Sequence, residues 1–270
     1  MQNVLALISI LFYALSAVYF GVKFFLKKDK TRTLAFLFLL IGFVTHALDL
    51  LVIGLDHHRF PAATFTEAFS LLTCLVILLF ILMNRAGEMD AAGVLLLPVT
   101  ILSVMLYVLH HGNDQVVEPV LKGGWIYVHI PLMILSVAAL SISCILAAMY
   151  LVQEKQLKSK SPAFFYYRLP SLEVCEEWSY RSLWFGFFTL TFGILTGMIW
   201  SKYLRGVYWS GDYKGIWSVI TWCLYAMLLH GRTISSWRGR KAAYLAILGF
   251  VFILFAFAGV SLVAKSYHSF

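Results

Sequence analysis

The chain has 270 residues, 61% of them hydrophobic and 13% charged, with a formal net charge of +8. A soluble domain is about half apolar and about a quarter charged, so this composition excludes a water-soluble globular protein and defines an integral membrane protein. The positive charge is a matter of topology rather than nucleic-acid affinity, because Lys and Arg collect on the cytoplasmic side of membrane proteins. No nucleic-acid partner is expected, and the whole of 1–270 reads as one integral membrane domain in the lipid bilayer.

Stretches of about 20 apolar residues are long enough to cross the hydrocarbon core. Eight are visible: roughly 3–26, 33–54, 64–84, 93–110, 126–152, 182–200, 216–231 and 242–264. The predicted fold is therefore an all-α polytopic bundle of about eight transmembrane helices. The first segment lacks a basic leader and an obvious cleavage site, so it reads as an uncleaved helix. Alternate loops gather 14 basic residues on one side, in 27–32, 85–92, 153–181 and 232–241, against six on the other. The positive-inside rule then places both termini outside the cytoplasm, with the chain in a cytoplasmic (inner) membrane.

Along the chain, Asp49 lies three residues after His46 on one helix face, so the two are expected either to satisfy each other or to mark a functional site. Glu67, early in the third span, reads as a snorkelling end residue. His57, His58, His110 and His111 fall in loops as adjacent pairs without metal-ligand spacing. Cys74, Cys144, Cys175 and Cys223 show no CxxC and no close pair, which argues against a disulfide framework or zinc site. The run SLEVCEEWSYR has Ser171 ahead of an acidic turn, a helix start, and reads either as an amphipathic surface helix leading into the sixth span or, in preference, as a simple connector. Gly186, Gly193 and Gly197 read as close helix packing.

The densest signal is Trp200–Trp222, WSKYLRGVYWSGDYKGIWSVITW, with four Trp, three Tyr and three Gly. Large rings forfeit burial energy in open water, so this loop suits a membrane surface, where it either forms an aromatic belt or covers a flat apolar ligand. Two histidines keep it company on the same side: His129, opening the fifth span, and His268, just past the eighth. Two neutral imidazoles brought together can bind haem iron axially; the alternative is that each is a hydrogen-bonded interface residue. His230 lies about 21 Å below the outer end of its span and His46 about 12 Å below the surface, at 1.5 Å per residue.

These residues resemble the cytochrome c assembly proteins of the CcsA, ResC and CcmC type, with HemX-like proteins as a side branch. Family members carry a Trp-rich outer loop, the WWD motif, approximately WGxxWxWDPKExWxxxxW. In RGVYWSGDYKGIWSVITW, Trp209, Asp212, Lys214, Trp217 and Trp222 match it. Gly211 replaces the second core Trp, Tyr213 the Pro and Gly215 the Glu. The family's outer His pair matches His129 and His268, its membrane His matches His230, and His46 corresponds more loosely.

The resemblance implies a haem b-handling protein. The loop, with Tyr208 beside Trp209, would lie along the porphyrin while the outer His pair holds the iron. His230 would bind haem transiently on its way outward. Implied partners are haem, apocytochrome c and a ResB/CcsB-type membrane protein. A HemX-like regulator of glutamyl-tRNA reductase level, acting through the 153–181 loop, is the alternative.

Overall fold

Inside hydrocarbon no water satisfies backbone N–H and C=O groups, so an apolar run of spanning length becomes a helix. The computed structural model describes residues 4–26, 29–85, 87–110, 126–159, 167–209, 211, 213–234 and 237–255. They form eight α-helices and, among the described residues, no strand. These are α1 (Val4–Leu26), α2 (Arg32–Asp56), α3 (Phe65–Met83), α4 (Asp90–His110), α5 (Ile126–Lys158), α6 (Leu172–Arg205), α7 (Tyr213–Ile234) and α8 (Arg240–Leu254). The first six are long and apolar enough to cross a membrane, so the chain is a multi-pass membrane protein. Of the other two expected spans, α7 carries Lys214, His230 and Arg232 among 22 residues, and α8 is described over only 15.

The chain folds as two compact units. The first comprises residues 1–122 with 163–170, and the second 123–162 with 171–270.

In the first unit, α1 packs on α2 and α4, and α3 packs on α4 and α2. Polar groups tie these helices at three levels. At one end Asp90 takes Lys23 Nζ, Arg32 Nε (3.3 Å) and Asn84 Nδ2 (2.6 Å). The Arg168 guanidinium caps the same end of α1, donating to the Phe24 and Phe25 carbonyls at 2.6 and 2.9 Å. This satisfies carbonyls that a helix C-terminus leaves without intrahelical partners. In the middle, His46 is fully buried between Tyr13 Oη, 3.3 Å from Nδ1, and Ser70 Oγ, 2.9 Å from Nε2. Asp49 does not pair with His46; its Oδ1 accepts the Ala6 N–H at 3.2 Å, in the first turn of α1.

At the far end Glu67 departs from the snorkelling expectation, because it is buried. Its carboxylate takes both Arg59 nitrogens, at 2.6 and 2.7 Å, and the Ala63 N–H at 3.0 Å. Thr64 caps α3 by accepting the Glu67 N–H at 3.1 Å. The fixed turn between α2 and α3 supplies Arg59, so a carboxylate that would otherwise seek water is neutralised in place.

The second unit is organised on the antiparallel pair α5 and α6, with α8 against α5 and α7 against α6 and α8. Its close approach runs along α6 glycines. A Cβ on Gly186 would fall 2.6 Å from Leu140 Cγ, and one on Gly193 2.6 Å from Met133 Sδ. Hydroxyl bonds across the pair complete the ladder, from Ser136 Oγ to the Gly186 carbonyl (2.9 Å) and from Ser143 Oγ to the Ser179 carbonyl (2.9 Å).

Ser171 is a helix start, accepting the Val174 N–H at 3.3 Å. SLEVCEEWSYR is neither a simple connector nor a separate surface helix: from Leu172 on it forms the opening turns of α6, continuous over 34 residues. At 1.5 Å per residue α6 is about 51 Å long and α5 about 50 Å, against a hydrocarbon thickness of about 30 Å. These turns hold Cys175 fully buried and bring Glu176 within 3.1 Å of Arg232 on α7. The hydrophobic pattern of the sixth span stops where hydrocarbon ends, but the helical backbone does not.

Candidate functional site

The site grows from the end of the second unit where α5 begins and α6 stops. His129 sits in the first turn of α5, half-buried against α6. Its Nδ1 lies 2.8 Å from the Gly193 carbonyl oxygen. A carbonyl only accepts, so Nδ1 carries the proton and the lone pair of the neutral ring is on Nε2. One turn on, a Cβ at Gly197 would lie 2.8 Å from His129 Cε1 and 3.1 Å from Nδ1, so the missing side chain is the space the ring occupies. The Trp200 indole completes the wall, 5.9 Å from the imidazole centroid at an interplanar angle of 37°. Its Nε1–H is buried and has no hydrogen-bond partner among the described residues. Gly193, Gly197 and Trp200 are spaced by four and three, so one face of α6 meets the imidazole.

α6 ends at Gly206, whose φ of 75° gives the left-handed C-cap, and its N–H bonds to the Lys202 carbonyl at 3.0 Å. Lys202 Nζ donates back to the Gly206 carbonyl at 2.7 Å and lies 5.3 Å above the Tyr208 ring. Tyr208 and Trp209 follow with large exposed faces.

The Trp-rich motif is then divided by secondary structure. Trp217 is on α7, its ring packed against Phe252 of α8 and Phe255, the residue that caps it, at 5.8 and 4.6 Å. Trp222, also on α7, donates Nε1–H to Thr191 Oγ1 at 2.9 Å and lies 5.4 Å from the Phe187 ring of α6. Gly211 has φ of 69°, and among the described residues nothing lies within 4 Å of where its Cβ would be. Asp212 and His268 lie outside the described residues.

His230 is exposed on α7, 17 residues after Tyr213, or about 26 Å along the helix at 1.5 Å per residue. That is too far along to share a ligand position with His129. His46 belongs to the first unit, with both ring nitrogens engaged by Tyr13 and Ser70. Among the described residues there is no group of three or more His, Cys, Asp or Glu placed to hold a bare metal ion. Sequence reading assigned Gly193 and Gly197 to packing alone and missed their place around His129. The Gly-x₃-Gly-x₂-Trp spacing is the signal that could have found it.

An imidazole held by the Gly193 carbonyl in a Gly cradle beside the Trp200 indole places a polar ring and an aromatic face together at this end of the α5–α6 pair. The fold and this site define a multi-pass helical membrane protein with an imidazole–indole pair at one end of its second unit.

A family model described as Cytochrome C assembly protein matches residues 62–268. The chain belongs to the cytochrome c assembly protein family. It is 33% identical to the cytochrome c biogenesis protein CcsA of Guillardia theta over 230 residues, covering 78% of this chain and 76% of that one. To CcsA of Mesostigma viride it is 27% identical over 98% of this chain and 93% of the other. Among solved structures it is similar to the cytochrome c heme lyase CcmF, with a TM-score of 0.64 and 19% identity, covering 99% of this chain. It spans about half of CcmF, 51%, and that likeness speaks for the fold alone. These relatives do not point to the HemX-like alternative.

Proposed function

We propose that this protein holds haem at the outer face of the cytoplasmic membrane and presents it to apocytochrome c during cytochrome c assembly. The observation that carries this reading is the His129 geometry: Nδ1–H is committed to the Gly193 carbonyl at 2.8 Å, which orients an Nε2 lone pair for iron. Membership of the cytochrome c assembly family supports it.

In this reading His129 and His268 are the two axial ligands, and haem b, when bound, supplies the vinyl groups that join apocytochrome thiols. Tyr208 and Trp209 offer exposed aromatic faces, and Asp212 belongs to the same loop. Trp217 and Trp222 act from behind, holding α7 to α8 and to α6. Lys202 and Arg205 supply positive charge for propionates. His230, exposed and far along α7, serves as a transient ligand for haem within the membrane, and His46 as a looser candidate of the same kind. A ResB/CcsB-type membrane protein is the proposed partner, and both termini lie outside.

The regulatory alternative is not carried forward. The relatives found are cytochrome c biogenesis proteins, and none points to a regulator of haem synthesis.

The test is the reduced absorption spectrum of His129→Gly and His268→Gly, each with and without imidazole. Imidazole restores a low-spin spectrum only where the missing side chain bound iron. Wild-type spectra in both single variants before imidazole is added would refute the assignment.

A further inference from the structure

The contacts that α6 makes with His129 go beyond close helix packing, and their functional consequence rests on His129 being a haem ligand. We propose that α6 is a positioning element for the imidazole. Gly197 admits the ring, the Gly193 carbonyl selects its tautomer, and the Thr196 hydroxyl sets how strongly that carbonyl polarises it.

Three donors converge on one oxygen. A regular helix directs the N–H of residue 197 to the carbonyl of residue 193. Thr196 Oγ1 lies 2.9 Å from the same oxygen and 2.9 Å from the Phe192 carbonyl, and its single proton serves one of them at a time. His129 Nδ1 is the third donor, at 2.8 Å. A carbonyl has two lone pairs, so the hydroxyl competes with the imidazole for electron density. A hydrogen bond from the far nitrogen of a ligating His raises the basicity of the ligand atom. Thr196 therefore weakens the ligand by taking part of the carbonyl, and its removal strengthens it.

Gly197 acts by a different route. The nearest atoms to a Cβ there are the three ring atoms Cε1, Nδ1 and Nε2 of His129, the first at 2.8 Å. A methyl group would push the imidazole off the Gly193 carbonyl before it moved either helix. Gly186 lies in the same α5–α6 interface, but a Cβ there meets Leu140 and Ala139. Gly186→Ala therefore perturbs packing without touching the imidazole.

The experiment uses the full chain in detergent. Imidazole ¹⁵N shifts are recorded without haem, the His129 signal being identified by its loss in His129→Gln. Haem retention on washing and the haem reduction potential are then compared in wild type, Thr196→Val, Gly197→Ala and Gly186→Ala. Wild type should show His129 as a single Nδ1–H tautomer. Gly197→Ala should lose that signature and retain haem about 10- to 100-fold less well, the usual effect of removing such a partner. Thr196→Val should keep the tautomer and move the potential to more negative values. Gly186→Ala should match wild type in tautomer and potential even where it melts earlier.

An Nε2–H or mixed tautomer in the wild type overturns the proposal. So does a Gly197→Ala variant with wild-type tautomer and potential, or an unchanged potential in Thr196→Val. Failure of the haem reading looks different: His129→Gly would then leave the haem spectrum unchanged, while the haem-free ¹⁵N signals still decide whether α6 positions the ring.

Discussion

Removing Glu67 tests whether the first unit is held by a buried ion pair. Its side chain is 4% exposed and that of its partner Arg59 is 24% exposed. The pair is bidentate, at 2.6 and 2.7 Å, and the carboxylate also satisfies the Ala63 N–H. Glu67→Leu leaves a guanidinium that still reaches water and a backbone N–H that does not. Its cost should fall near the lower end of the range for breaking buried pairs, about 2–4 kcal/mol. Arg59→Leu strands a carboxylate with almost no access to water and should cost more, about 3–5 kcal/mol.

The double variant removes both charges and should cost less than the sum of the two, with a coupling of about 2–3 kcal/mol. The Glu67 hydrogen bonds hold the Arg59 guanidinium above its ordinary range. A raised pKa gives stability that is complete below the unfolded value and lost only as pH rises through the folded one. The arginine arm of the coupling should therefore not change through neutral pH. Thermal unfolding in detergent, followed by tryptophan fluorescence across the four-member cycle, measures it. A coupling below about 0.5 kcal/mol, the level of an exposed pair, would refute the burial argument.

Three further outcomes are expected. Gly186→Val places branched carbon where Leu140 Cγ already stands 2.6 Å from a first Cβ, and should destabilise the α5–α6 pair by about 1–3 kcal/mol in the same melt. Gly211→Trp replaces the family's missing ring, but the position has φ of 69°, which costs an L side chain about 1–2 kcal/mol; haem retained after washing should not rise, whereas Gly211→Asn should be tolerated better. Reporter fusions at Asp90 and near Lys241 should report cytoplasm and one after Phe270 should not; a cytoplasmic C-terminus would overturn the proposed orientation.

The sequence by itself determined the helices and where most of them lie. Apolar length in a medium without water leaves one backbone solution, so the four helices of the first unit fall within a few residues of the expected spans. It also marked Ser171 as a helix start and the α6 glycines as contacts, because caps and small residues act locally. It pointed to His129 through its place at the head of a span.

What it left undecided depends on which side chains from distant helices meet. Glu67 read as a snorkelling residue because its partner, Arg59, comes from the preceding turn and becomes its neighbour only when α2 and α3 pack. His46 and Asp49 share a helix face, yet Tyr13, Ser70 and the start of α1 claim them separately. The Trp-rich stretch reads as one loop, but a helix starting at Tyr213 turns Trp217 and Trp222 into packing residues and leaves Tyr208 and Trp209 exposed. The tautomer of His129 was likewise beyond the sequence, since it is set by a carbonyl 64 positions away that only the antiparallel pairing of α5 and α6 brings within 2.8 Å.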